Sequence, residues 1–232
     1  MEHCRANCPE LGFIIMSAAK PIESISLEDY LAGERLAKRK HEYSDGQIYA
    51  MAGAGQAHNR IAAAFAGMAY VRLRGRTCEP FGSDMKVRIH STARPRVYYP
   101  DAMIVCEPNV VNDHAQDRPT VIVEVLSSST RRIDEHEKRD AYLTIPTLST
   151  YLMIEPTRPR VTVYERDGSG FVLRQYEGLD AEVPLPAVGI TIPLAELYER
   201  IDFAAATAEE SVPESDDVPH WPLDAIDDEN AD

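Results

Sequence analysis

Thr120-Val121-Ile122-Val123-Glu124-Val125-Leu126 is the stretch on which the reading of this chain turns. Every residue but Glu124 is apolar or β-branched, the pattern of a strand buried on both faces at the centre of a sheet. Burying a lone ionised carboxylate costs more than the ~5–15 kcal/mol that holds a domain together. Glu124 therefore needs a cation, a metal, a proton or a ring of donors. Upstream, Val97-Tyr98-Tyr99-Pro100-Asp101-Ala102-Met103-Ile104-Val105 poses the same problem. Alternation puts Val97, Tyr99, Asp101, Met103 and Val105 on one face, with Asp101 its only charge. Pro100 lacks the N–H of a ladder residue, so this strand is expected at an edge or bulged there, a common way to re-aim a side chain.

Two such acids on neighbouring strands can meet at one point. Hard carboxylate oxygens suit Mg2+ or Mn2+ rather than zinc. Downstream, Asp134, Lys138 and Tyr142 fall on one side of a predicted helix from about Arg131 to Leu143. Lys138 is then either half of a solvated Asp134–Lys138 pair or an amine reaching back to Glu124. Arg131, Arg132 and Arg139 on the same segment are candidates to hold a phosphate backbone.

Around this centre the pattern reads as mixed helix and strand. A helix is expected from a Ser26 capping box to about Arg39, then a turn at Ser44-Asp45-Gly46 and a strand over Gln47–Met51. A helix over His58–Arg74 carries Ile61, Phe65, Met68 and Leu73 at helical spacing. Strands are expected over Thr77–Phe81, Met85–His90, Val97–Cys106, Thr150–Ile154, Arg160–Arg166 and Phe171–Tyr176, with a polar loop at Asn109–Pro119 and a closing helix over Pro193–Arg200.

The chain has 232 residues, 44% of them hydrophobic, enough for one domain with trimmings. The expected organisation is an extension over 1–21, a domain over 22–203 and an acidic disordered tail over 204–232. Met16 reads as a candidate initiator. Cys4, Cys8 and His3 are too few for a structural zinc site. No apolar run is long enough for a membrane span. Four cysteines argue against a disulfide-stapled scaffold and for a reducing cytoplasm. Net charge is −14, but ten of the acids, with no Lys or Arg, lie between Ala208 and Asp232. Without them the chain is nearly balanced, so composition neither favours nor excludes a phosphate-bearing partner. The tail itself reads as a solubilising segment, or as a polyanion mimic folded over the chain's own site.

Pro100-Asp101 followed by Glu124-Val125-Leu126 resembles the PD-(D/E)XK nuclease signature with Leu126 in the lysine position and Lys138 as a lysine relocated to the next helix. The longer run from Glu124 to Arg131, then Asp134, Glu137-Lys138, Tyr142 and Tyr151–Pro156, is similar to the Uma-type endonuclease family, as are Tyr43–Met51, His58 and Ser83-Asp84. That resemblance covers about Ile22 to Arg200. It implies an α/β, restriction-endonuclease-like mixed sheet flanked by helices with an additional C-terminal β-hairpin, and a Mg2+-dependent DNA endonuclease. Asp101 and Glu124 become metal ligands and Lys138 the catalytic lysine. Glu42 is a further candidate, for a second metal or a water, and His58 with Arg131 and Arg132 for DNA contact. A homodimer through Arg160–Tyr176 is implied as well. The competing expectation is a non-catalytic nucleic-acid or protein binding module on the same fold.

Overall fold

Strand β8 (Pro119–Val125), which contains Glu124, lies inside the molecule with apolar packing on both sides. The structure, a computed structural model, describes residues 24–51, 53–90, 94–110 and 113–211. In chain order the elements are α1 (Leu27–Glu34), β1 (His41–Ser44), β2 (Gln47–Ala50), α2 (Gln56–Leu73), β3 (Glu79–Gly82), β4 (Lys86–Ile89), β5 (Arg96–Tyr98), β6 (Ala102–Val105), β7 (Ala115–Gln116) and β8. A π-helical segment (Ile133–Lys138) then runs into α3 (Arg139–Tyr142). The remainder is β9 (Thr150–Ile154), β10 (Arg160–Asp167), β11 (Gly170–Glu177), β12 (Glu182–Leu185), β13 (Ile190–Pro193), α4 (Leu194–Leu197) and α5 (Phe203–Glu210). Among the described residues no helix is long and apolar enough to cross a membrane.

Among the described residues the strands form three sheets. One has the order β2-β1-β5-β4-β7, the second β11-β10-β9-β8-β6-β3, and β12 pairs with β13 alone. Both larger sheets are mixed, with parallel pairs β4–β7 and β8–β9 among antiparallel neighbours. Val121, Val123 and Val125 of β8 pack toward α2, whose Ile61, Phe65, Ala69 and Leu73 recur every four residues. Ile122 and Leu126 face the opposite way, toward Tyr142, Ile145, Leu148 and the first sheet's Val87, Ile89 and Tyr98. Glu124 shares the parity of that second face.

The expected strand Val97–Cys106 is two strands in two sheets. β5 belongs to the first sheet and β6 to the second, and the chain passes between them at Tyr99-Pro100-Asp101. Pro100 explains the break, since it cannot donate to either ladder. The expected helix from Ser26 stops at Glu34, because residues 35–40 offer no apolar face; Ser26 does cap it, accepting from the Asp29 amide. Residues 41–44, expected to precede the first strand, are themselves β1. Asp45 and Gly46 join β1 to β2 with positive φ at both positions, the two-residue turn that matches strand twist. The expected hairpin over 160–176 is present as β10–β11 and extends the second sheet; β12–β13 adds a hairpin that the sequence reading lacked. The tail was expected to be disordered from residue 204, yet residues 203–210 are helical, with Asp202 accepting from the Ala204 and Ala205 amides. The extension over 1–21 and residues 212–232, Trp221 included, lie outside the described residues.

Scarce cysteine argued against a disulfide-stapled scaffold, yet one disulfide is present: Cys78 and Cys106 are joined one residue beyond the Glu79–Val105 pair of β3 and β6. A polar clamp fixes the connection from β6 to β8. Arg88 donates from Nε and Nη2 to Asp117 at 2.8 and 2.9 Å and from Nη2 to Asp113 at 2.9 Å, and Asn109 donates to both acids. Burial alone would raise the Asp117 carboxyl, but the Arg88 and Asn109 bonds outweigh it and hold it below the ordinary carboxylate range. A lowered folded-state pKa stabilises above the unfolded carboxyl pKa, and the gain is lost as pH falls through the lower folded value. Asp117→Asn should therefore cost about 1–2 kcal/mol in urea unfolding at pH 7. That cost should shrink toward zero in acid, where wild type loses the same interaction.

Candidate active site

Lys138 reaches three acids from the last turn of the π-helical segment. Its Nζ lies 2.9 Å from Glu42 Oε1, 3.4 Å from Glu124 Oε1 and 3.4 Å from Asp134 Oδ1. The side chains are almost wholly enclosed, 6% exposed for Lys138, 4% for Glu124 and 3% for Asp134. The amine also sits over the Tyr98 ring, 5.5 Å from its centroid. Glu124 Oε1 accepts a second bond from the Tyr142 hydroxyl at 2.8 Å, and Asp134 Oδ2 accepts from the Thr130 hydroxyl at 2.6 Å. The solvated Asp134–Lys138 pair is excluded. The segment packs beside β8 and turns both side chains inward, and its wider winding is a local distortion often met at functional sites.

Asp101 completes the arrangement from another direction. β6 pairs Ala102 with Val123, so Asp101 stands one residue before the ladder begins, beside the Glu124–Val125 end of β8. Its Oδ2 accepts the Val125 amide at 2.7 Å, replacing a backbone partner that the broken strand does not supply. The same oxygen lies 3.2 Å from His58 Nε2, in the first turn of α2. Burial opposes an imidazolium at His58, but the Asp101 hydrogen bond and charge outweigh it, with help from Asp134, and its pKa is raised.

The structure thus brings together Asp101, Glu124, Lys138, Glu42 and His58 along one cleft of about 380 Å³. Glu42 does so from β1 and not from a helix, and also accepts the Tyr99 amide at 3.2 Å. His58 is turned onto Asp101. Arg131 is engaged elsewhere: its Nη1 and Nη2 donate to the two oxygens of Glu155 at 2.9 and 2.7 Å, and Nη1 to Glu135 at 3.3 Å. The reason is topological. β8 and β9 run parallel, so the residues that follow each strand meet. Arg132 is exposed and is not part of the cleft wall. Sequence reasoning missed Glu137, which accepts from Ser44 Oγ at 2.8 Å and from the Tyr98 hydroxyl at 3.2 Å. Its place beside Lys138, in the run that resembles the Uma-type family, was the signal that could have found it. Also missed were Glu209 and Glu210, which line the cleft from α5.

The charge balance is lopsided. Three carboxylates surround one ammonium, and burial pushes the Glu124 carboxyl well above its usual range, with Lys138 opposing and Asp134, Asp101 and Glu42 reinforcing. Asp134 is raised for the same leading reason. Burial disfavours the Lys138 ammonium, but Glu124, Glu42 and Asp134 more than compensate and hold it charged. Removing the cation leaves buried acids unpaired, at a cost of about 3–5 kcal/mol. Lys138→Met should show that loss in urea unfolding at pH 7, and a smaller loss in acid, where the raised Glu124 and Asp134 carboxyls take up protons.

The model of the Uma2 family, described as "Putative restriction endonuclease", matches residues 27–195. The chain belongs to the Uma2 family. An uncharacterized protein of Synechocystis sp., slr1290, is 31% identical over 195 residues, 82% of this chain and the whole of that protein. A second Synechocystis protein, sll1609, is 32% identical over 163 residues, 68% of this chain and 91% of the relative. A crystal structure titled as a putative nuclease belonging to DUF820, from Anabaena variabilis, superposes with a TM-score of 0.61 at 16% identity. That match covers 75% of this chain and 98% of the other, and shows that the mixed α/β fold of this Uma2 protein is shared with it. The match to the family model runs from the start of α1 to the beginning of α4, so it spans Glu42, His58, Asp101, Glu124, Asp134 and Lys138 and stops short of α5.

Proposed function

We propose that this Uma2 protein is a Mg2+-dependent endonuclease that hydrolyses DNA phosphodiester bonds, with Asp101 and Glu124 as metal ligands and Lys138 as the catalytic amine. The observation that carries the reading is the position of Lys138 Nζ, 3.4 Å from Glu124 Oε1, on the helical segment that follows the Glu124 strand. The donor set suits a hard divalent cation. The buried acids exceed Lys138 by two charges, a deficit that protons or a divalent ion would cancel. Asp134 Oδ1 is buried without a well-formed hydrogen bond. Both bonds to Asp101 fall on Oδ2 and both to Glu124 on Oε1, so each carboxylate keeps its second oxygen out of those bonds. A magnesium ion is commonly held by one or two carboxylates together with substrate phosphate and water. When bound, it would supply a Lewis acid for the phosphoryl oxygen and a lowered pKa for an attacking water.

The chain's own groups have separable tasks in this reading. The Val125 amide and His58 fix the Asp101 carboxylate, and the Tyr142 hydroxyl fixes Glu124. Lys138 has three N–H donors and three acids around it, so orienting a water requires it to give up one acid. Asp101 and Glu124 would hold the ion, and Glu124 so engaged would leave one Lys138 N–H for that water.

A second reading has its own support. Among the described residues no group of three His, Cys, Asp or Glu side chains is arranged to hold a metal ion. With Lys138 as its internal counterion, the cleft would serve a non-catalytic module that binds nucleic acid.

Plasmid nicking separates the two. The nuclease reading expects cleavage with Mg2+ or Mn2+, none with EDTA, and a loss of about 10²–10³-fold or more in Asp101→Asn and Glu124→Gln. Circular dichroism checks that both variants fold. DNA binding that ignores EDTA, falls with salt as phosphate contacts are screened, and never leads to nicking would establish the binding module instead.

A further inference from the structure

Helix α2 begins without a cap of its own. Gly55 is its N-cap and offers no side chain, so the first amides depend on another segment. That segment is α5. Glu209 spans two amides, accepting from Gln56 at 2.6 Å through Oε1 and from Ala57 at 3.3 Å through Oε2. The next residue, Glu210, accepts the Ser128 amide at 2.5 Å in the turn that follows β8. Two anionic groups from one short helix thus occupy two separate sets of backbone donors beside the cleft that holds Asp101 and Glu124, whose wall includes Gly55 and Ser128.

Electrostatics makes this placement unusual. The cleft wall already carries Glu42, Asp101, Glu124, Asp134 and Glu137 against the Lys138 ammonium and the His58 imidazole. Adding two more carboxylates works against that charge, and the amides are what hold them. Gly55 leaves the approach open: a Cβ there would stand 2.7 Å from the Glu209 carboxylate and would crowd an oxyanion held at these amides. The attachment of α5 is otherwise slight. Its one buried residue is Ala206, and Phe203 rests against the Tyr198 ring at 5.6 Å between centroids. Elements with little apolar burial open at low free-energy cost.

We propose that the amides of Gln56, Ala57 and Ser128 are binding subsites for phosphate groups of a nucleic-acid backbone, and that Glu209 and Glu210 stand in those subsites until DNA displaces α5. The inference rests on the nucleic-acid reading above and adds the subsites and their internal occupant. Fully formed backbone donors carry no sequence information, so these contacts position the strand without choosing it. A competent state that is only a minor fraction weakens apparent affinity by that fraction. With an open state near 10% or less, removal of the two carboxylates tightens binding by about tenfold or more.

The test uses the full chain and a fluorescein-labelled DNA duplex, with Ca2+ in place of Mg2+ so that the strand stays intact. Glu209→Ala/Glu210→Ala should bind about tenfold or more tightly by fluorescence anisotropy, and adding Gly55→Ala should remove most of that gain by crowding the subsite. In wild type, saturating DNA should shift the Gln56, Ala57 and Ser128 amide resonances and move Ala206 toward random-coil values. This second measurement stands even if the variants fold poorly. DNA binding with unchanged affinity in the double variant, or with α5 resonances unmoved in wild type, would overturn the subsites and leave the nuclease reading intact. No binding by any of the proteins would overturn both.

Discussion

One buried ammonium holds this site together. Lys138 is the cation on which Glu42, Glu124 and Asp134 converge, and those residues come from β1, β8 and the π-helical segment. In a low-dielectric interior such acids repel one another and resist ionisation unless a positive charge lies among them. Each element must therefore be placed to within an ångström or so for Lys138 to serve all three. The first sheet, the second sheet and the helical segment are registered to one another at that amine. Aromatic groups finish the enclosure. Tyr98 lies beneath the amine and Tyr142 meets Glu124, while Tyr142 packs edge-on against Tyr98 at 5.6 Å between centroids.

Much of this was legible in the sequence, for a physical reason. A charged residue within an apolar alternation is an energetic anomaly that can be seen without coordinates, and Glu124 and Asp101 both present it. The four-residue step from Asp134 to Lys138 placed both on one side of a helix, and the wider π winding still turns both inward. The Ile61, Phe65 and Leu73 spacing gave the core face of α2 because helical periodicity survives folding unchanged.

What was not legible depends on partners distant in the chain. β1 reads His41-Glu42-Tyr43-Ser44, with no alternation to mark it; its burial arises from pairing with β5. β12 and β13 do alternate, with Val183, Leu185, Ile190 and Ile192 inward, but Pro184, Pro186 and Pro193 mask them as loop. Arg131 looked free because the carboxylate that claims it, Glu155, lies at the end of the parallel neighbour strand. The acidic run near residue 209 looked solvated because its amide partners lie on α2 and on the turn after β8. Strand pairing and long-range capping are properties of the assembled chain, and a local pattern carries no trace of them.

The passage of one continuous segment from the first sheet to the second, at Pro100, has a mechanical consequence. Glu42 stands on one sheet and Glu124 on the other, while Asp101 sits at the crease between them. The spacing of the acids is thus a readout of the dihedral angle between two plates. A rotation of a few degrees about that crease would spread or gather the oxygens without moving any strand within its own sheet. A ligand that wedged the plates apart or drew them together would change the spacing of these acids without touching them.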